Sequence, residues 1–326
     1  MIDDFYFDRL FFILIYVIDF EKTLLECIID YMEKYCEICP RKCRADRISK
    51  FGFCGQSSTV KVAKVMLHKW EEPIISGENG SGAIFFSGCN LKCIYCQNYQ
   101  ISSFASGKEI TTQKLADIFK QLEEKGAHNI NLVTPTHFTN QIIEALKIYK
   151  PKIPIVWNTS GYESVKTIKK LKKYVDIYLT DLKYYSRNLS TEYSCAVDYF
   201  DRASEAILEM RKNQPQDVIE NGLMKKGLIV RHLVLPKTIF DTKAVLNWID
   251  EKLGNQTIVS LMGQYIPCHL ATKHKILKHK LSKKEYDQAI FHLLDLGFEK
   301  GFVQELSSSS KNFIPDFNCQ DTEFDF

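Results

Sequence analysis

Past residue 80 the chain alternates short apolar runs with stretches of helical periodicity. Runs rich in β-branched and aromatic residues fall at 83–88 (AIFFSG), 129–134 (NINLVT), 153–159 (IPIVWNT), 175–183 (VDIYLTDLK), 228–236 (LIVRHLVLP) and 257–265 (TIVSLMGQY). They alternate little between apolar and polar positions, as strands do when both faces of a sheet are covered. Residues 111–126 read as a helix: Thr111 or Thr112 can cap it, Leu115, Ile118, Phe119 and Leu122 form its apolar face, and Gly126 ends it. Further helical patterns lie at 140–150, 163–174, near 198–212, near 240–253 and at 283–298. Strands followed by helices predict an α/β fold with a parallel sheet and right-handed crossovers. Six such units fall short of a complete (β/α)8 barrel, so the expected form is a partial, TIM-like (β/α)6 barrel with ligands at the C-terminal strand ends.

The first 35 residues read differently. The run LFFILIYVI (10–18) is strongly apolar but flanked by Asp8, Arg9 and Asp19, and it is far shorter than the ~20 residues a spanning helix needs. The opening MIDDF lacks the basic start of a secretory signal. Residues 5–34 are therefore expected to form an amphipathic helix packed on the body, with no membrane span. Basic and acidic residues nearly balance, 43 against 40, and the cluster at 166–174 (KTIKKLKKY) reads as a solvated helix face, so no nucleic-acid partner is expected.

Cysteine usage changes the picture. Of 11 cysteines, Cys36, Cys39, Cys43 and Cys54 fall at C-x2-C-x3-C-x10-C, and Cys89, Cys93 and Cys96 at C-x3-C-x2-C. Tight spacing and an odd count point to metal ligation in a reducing, cytoplasmic setting and away from disulfides. Cys27, Cys195, Cys268 and Cys319 are scattered and read as small buried hydrophobes. Four thiolates make a closed site, either zinc or an iron–sulfur cluster. Three thiolates in CNLKCIYC (89–96), directly after the first of the six strands, can hold three irons of a [4Fe–4S] cube and leave the fourth iron open; catalytic zinc would draw on His or Glu, and the loop has neither.

This cysteine loop, with an aromatic residue before its last cysteine, resembles the signature of the radical S-adenosylmethionine (SAM) superfamily. The blocks SGCNLKCIYCQN, NINLVTPTHF, NTSGYE, VDIYLTDLKYY, RHLVLP and SLMGQYIP together are similar to uncharacterised paralogues of pyruvate formate-lyase-activating enzyme, from about residue 35 to FIPDF (313–317). The resemblance implies a radical SAM barrel, a [4Fe–4S] cluster on Cys89, Cys93 and Cys96, and SAM on the open iron. Reductive cleavage of SAM then gives a 5′-deoxyadenosyl radical for hydrogen abstraction.

Residue by residue, it places Tyr95 near the adenine and Asn158, Thr159, Ser160 and Gly161 in a turn beside SAM. Asp181 and Lys183 match an Asp-x-Lys that shapes the site, Arg231 matches an arginine of the fifth strand, and Pro267 with His269 matches a Pro-x-His. The family's Gly-Gly-Glu is missing; Thr134 and Thr136 of VTPTHF stand in its place, which leaves recognition of the SAM amino group open. Arg231 also needs a buried partner whatever its role, either a SAM carboxylate or an acidic neighbour, and His137 and His232 read as satisfied core histidines.

The expected organisation is an N-terminal helix over 1–35, a four-cysteine metal-binding segment over 36–75, the barrel over 76–300 and an extension over 301–326. An electron donor such as flavodoxin or ferredoxin follows from the resemblance. A glycyl radical enzyme is the partner it suggests, with small-molecule radical chemistry as the alternative. A non-catalytic electron-transfer protein with two clusters is the reading from a different class.

Overall fold

The computed structural model describes residues 35–306 together with Pro315, Phe317 and Phe324. The helix expected over 5–34, the serine run at 307–310, Cys27 and Cys319 lie outside the described residues.

The sheet begins with β1 (Val60–His68), which pairs antiparallel with β2 (Ser81–Phe86) on one side and β3 (Lys108–Ile110) on the other. From β2 onward the strands add in parallel: β4 (Ile130–Val133), β5 (Ile155–Thr159), β6 (Ile177–Asp181), β8 (Leu223–Leu233), β9 (Ile258–Met262) and β10 (Gly301–Val303), while β7 (Val218–Glu220) forms an antiparallel hairpin with the start of β8. All six expected strands are present and in sequential order, and the sheet is open, so the α/β partial barrel stands. The main sheet starts at Val60, inside the stretch assigned to the four-cysteine segment. A register shift between Val62 and Lys64 reverses the alternation there, which masks the strand pattern in the sequence.

Helices α1 (Thr112–Glu124), α2 (Thr139–Ile148), α3 (Val165–Leu171), α4 (Arg187–Ser194), α5 (Tyr199–Asn213), α6 (Ile239–Leu253) and α7 (Lys283–Asp295) fill the crossovers. Their starts are chemically marked: Thr111 accepts from the Lys114 N–H, Ser164 from Thr167, and Ser282 with Glu285 forms a reciprocal capping box. Strand residues facing these helices, among them Ile84, Phe86, Leu132, Trp157, Tyr178 and Val230, form the main core. Each fully buried aliphatic or Phe side chain there stabilises by roughly 1.5–3 kcal/mol.

The opposite strand face makes a second, smaller core. Val156, Ile177, Leu179, Ile229 and Ile258 meet Ile75, carried in by the helical turn Pro73–Ser76. Further along the same strand faces the apolar residues give way to Asn158, Asp181 and Arg231. The barrel therefore has an apolar floor, a polar layer and an open mouth at the C-terminal strand ends.

Candidate active site at the strand ends

A cavity of about 250 Å³ opens at that mouth. Its walls include Cys93, Tyr95, Cys96, Asn158, Asp181, Lys183 and Arg231, seven of the residues singled out from the sequence, together with Glu71, Phe85 and Met262. The cysteine loop reaches it because β2 ends at Phe86 and the chain turns at Gly88, whose φ is 84°. A Cβ there would stand 2.6 Å from the Cys54 carbonyl oxygen, so only glycine permits the approach.

Donors surround the three thiols. The Leu91 N–H points at Cys89 Sγ at 3.4 Å, and Ser102 Oγ lies 3.2 Å from Cys96 Sγ. Ser194 donates to Cys93 Sγ at 2.9 Å, which leaves its oxygen to accept from Tyr184 at 2.7 Å, while Tyr184 accepts in turn from Tyr95 at 2.5 Å. Cys93 thus ends a chain of three hydroxyls. Burial pushes the thiol of Cys89 up to about 12 and that of Cys93 up to about 11. Such thiols ionise when a metal supplies positive charge.

The polar layer beneath is an ion-pair network. Arg231 donates from Nε to Asp181 at 3.0 Å, from Nη1 to Glu71 at 3.1 Å and from Nη2 to Asn158 Oδ1 at 2.6 Å. Lys183 Nζ lies 2.5 Å from the other Asp181 oxygen. Burial works to raise the Asp181 pKa, but Lys183 and then Arg231 outweigh it and hold the carboxyl below its ordinary range. Burial likewise works against the Lys183 charge, and Asp181 followed by Cys93 keeps its pKa raised. Arg231 therefore has acidic neighbours within the protein. Glu71 is the residue that sequence reasoning missed: it enters from the turn after β1, in a segment read as belonging to the metal appendage.

Other expected residues stand elsewhere. Thr136 is buried on the helix side, where its hydroxyl donates to Glu163 at 2.7 Å alongside Thr159 at 2.7 Å and Trp157 Nε1 at 3.0 Å. Thr134 adopts a left-handed φ of 58°, and its N–H is spent on Asn158 O. Ser160 presents its carbonyl to the Tyr199 hydroxyl, and His269 stacks on Tyr99 with ring centroids 4.9 Å apart. None of Thr134, Thr136, Ser160 and His269 lines the cavity. Gly161 shapes the turn instead: at φ 79° it lies so close to β6 that a Cβ would stand 2.2 Å from Asp181 O. His137 and His232 are buried; each bonds a carbonyl, and His232 also meets Thr242, though the other ring nitrogen of His137 has no partner. Cys195 departs from the buried reading, being exposed at the left-handed C-terminus of α4, and Cys268 is half-buried with its thiol donating to Tyr95 O.

The second thiol set lies in residues 35–59, which form turns without helix or strand. Burial pushes the thiols of Cys39 and Cys54 up, against the pull of backbone groups at Arg41 and Gln56, whereas at Cys43 hydrogen bonds, the backbone of Ala45 first among them, outweigh burial and lower it. Cys43 and Cys54 both approach Gly52, at 3.5 and 3.2 Å from the position of a Cβ. Among the described residues no group of three or more Cys, His, Asp or Glu is already closed to hold a metal ion.

Residues 83–230 match the Radical SAM superfamily. The matched stretch runs from β2 into β8 and takes in the three-cysteine loop, Asp181 and Lys183. An uncharacterized protein of Methanocaldococcus jannaschii is 29% identical over 267 residues, covering 79% of this chain and 73% of that protein. Pyruvate formate-lyase-activating enzyme of Clostridium pasteurianum is 25% identical over 224 residues, 66% of this chain and 86% of the enzyme. Among solved structures, Streptococcus suis SuiB bound to the precursor peptide SuiA is similar at 14% identity and a TM-score of 0.47 over 72% of this chain; the chain spans about half of SuiB, 51%. No described helix is long and apolar enough to cross a membrane.

Proposed function

We propose that the chain binds a [4Fe–4S] cluster through Cys89, Cys93 and Cys96, binds SAM in the adjoining cavity, and uses the resulting radical chemistry to activate a glycyl radical enzyme. The observation that carries this reading is one cavity bounded at once by Cys93 and Cys96 and by the Asp181–Lys183–Arg231–Asn158 set. The donor set fits such a cluster: three half-buried cysteines on one loop, hydrogen-bond donors aimed at their sulfurs, and the Lys183 ammonium beside Cys93. When bound, such a cluster would supply one electron for the reductive cleavage of SAM, and SAM would supply the hydrogen-abstracting chemistry.

The chain's own residues bind and orient. Arg231, held rigid by Asp181 and Glu71, keeps unspent donor capacity at the cavity wall for a carboxylate. Asn158 and Lys183 add polar contacts, Tyr95 an aromatic wall, and Phe85 and Met262 keep the cavity partly dry. Cys36, Cys39, Cys43 and Cys54 hold a second metal, zinc or iron–sulfur. A low-potential one-electron protein donor completes the system.

The test is anaerobic incubation of reconstituted protein with SAM and dithionite. The wild type is expected to form 5′-deoxyadenosine and Cys93→Ala none; full product from that variant would sink the assignment. A persistent glycine-centred radical on a partner protein after incubation supports activation, whereas product without such a radical points to a small-molecule substrate.

A further inference from the structure

Arg47 is only 4% exposed, yet its guanidinium meets no carboxylate among the described residues. It donates to two carbonyl oxygens, His137 O and Ser57 O, each at 2.5 Å, while its Nε has no partner. A buried cation without an anion is costly, by several kcal/mol in general. Through Ser57 O, and through its own carbonyl, which accepts from the Ser58 N–H at 2.8 Å, it is tied to the chain just past Cys54. Four thiolates around a divalent ion carry a net double negative charge, which would supply what Arg47 lacks. The backbone asks for a cross-link too. Lys42, Arg44 and Arg47 all have positive φ, 40°, 53° and 57°, in a segment without helix or strand. Non-glycine residues hold such conformations only where their surroundings over-determine them.

The same segment grips the loop that carries the other three thiols. The Cys89 N–H donates to Cys54 O at 3.3 Å. Arg41 donates from Nε to Asn90 O at 2.8 Å and from Nη1 to Cys195 O at 2.5 Å, next to the Ser194 that serves Cys93. Phe53 lies between the Arg41 and Lys92 cations, 4.0 and 5.5 Å from its ring centre. Arg47 reaches the loop through His137, whose Nε2 lies 2.7 Å from Ser87 O.

We propose that Cys36, Cys39, Cys43 and Cys54 hold one anionic tetrathiolate metal centre, charge-balanced by Arg47, and that this centre shapes the 87–96 loop for its own cluster. The proposal rests on the reading that Cys89, Cys93 and Cys96 take a cluster. Zinc and an iron–sulfur core both satisfy this chemistry, and metal analysis tells them apart.

The experiment compares full-length wild type, Cys39→Ser/Cys43→Ser, Arg41→Met and Cys93→Ala after anaerobic reconstitution with iron and sulfide. It measures zinc, iron and sulfide per chain, the EPR signal of the reduced protein, and the rate at which a chelator removes iron. The wild type is expected to hold zinc, or a second complement of iron, beyond the three-thiol cluster. The double-serine variant loses that metal and gives up cluster iron on the order of tenfold faster, the scale set by outer-shell support of a metal site. Arg41→Met keeps the second metal but also releases cluster iron faster, and Cys93→Ala loses only the cluster. A wild type without a second metal overturns the proposal. So does a double-serine variant with wild-type iron retention; if that variant fails to fold, undiminished retention in Arg41→Met overturns the coupling instead. Cluster content is read here without SAM, so coupled metal sites in a protein that never cleaves SAM would defeat the enzymatic reading and leave this one standing.

Discussion

Arg231 on β8 and Asp181 on β6 are register partners in neighbouring parallel strands, and their side chains meet at 3.0 Å inside the barrel. Lys183 takes the other carboxylate oxygen, so one acid serves two buried cations. Removing it leaves both without full compensation. Asp181→Asn is expected to destabilise the fold by roughly 3–5 kcal/mol in denaturant melts. The double variant Asp181→Asn/Arg231→Met should recover part of that loss, because it removes one stranded charge as well. Full additivity of the two single losses would show that the pair is not coupled.

His232 makes stability sensitive to mild acid. Its Nδ1–H donates to Leu182 O at 2.7 Å, so its Nε2 accepts from the Thr242 hydroxyl at 3.0 Å and the ring is neutral. Burial lowers its pKa from the ordinary 6.5 to about 4. The unfolded chain therefore binds a proton near pH 6.5 that the folded chain refuses until about pH 4. The sign is that of a depressed group: its stabilisation is present above pH 6.5 and drains as pH falls to about 4, by roughly 3 kcal/mol in all. Denaturant melts between those limits should show the slope, and His232→Gln should reduce it, leaving the part that His137, lowered to about 3 by burial, supplies. An unchanged slope would place the acid sensitivity elsewhere.

Ser194 tests the hydroxyl chain that ends on Cys93. Ser194→Ala removes the 2.9 Å bond to the sulfur and leaves Tyr184 and Tyr95 to donate elsewhere. A thiolate that loses a donor is more negative, and a cluster it holds is harder to reduce. An EPR-monitored redox titration should show a lower potential in the variant at unchanged iron content. A potential equal to that of the wild type would mean the chain serves packing alone.

The parallel strands were legible because their residues are apolar on both faces, and the cysteine loop because its spacing carries the chemistry unaided. Asp181, Lys183 and Arg231 were singled out through the family likeness, and an acidic neighbour was one of the two partners expected for Arg231. Glu71 was not, for a physical reason: it enters the barrel from a turn about 160 positions away from Arg231 in sequence, and no local pattern announces such a contact. Ser194 and Tyr184 were missed on the same ground. Thr134 and Thr136 stand off the cavity because position after a strand does not fix direction: Thr134 has a left-handed φ and Thr136 is bonded to buried Glu163.

Glu71 gives a discriminating test because every neighbour bonded to its carboxylate is a donor. Oε1 accepts from Asn131 Nδ2 at 3.1 Å and Asn158 Nδ2 at 3.0 Å, and Oε2 accepts from Arg231 Nη1 at 3.1 Å. A carboxylate accepts at both oxygens, whereas an amide turns one of them into a donor. Glu71→Gln keeps the shape yet sets N–H against N–H, either at the asparagines or at the arginine, at a cost of about 1–3 kcal/mol. With the amide nitrogen turned to Arg231, the guanidinium is held by Asp181 and Asn158 alone, so orientation at the cavity wall loosens along with stability. The variant should melt earlier and form 5′-deoxyadenosine more slowly, with a larger rise in the SAM concentration needed for half-maximal rate than Glu71→Asp shows. Wild-type stability and kinetics in Glu71→Gln would mean that Arg231 is positioned without this acid.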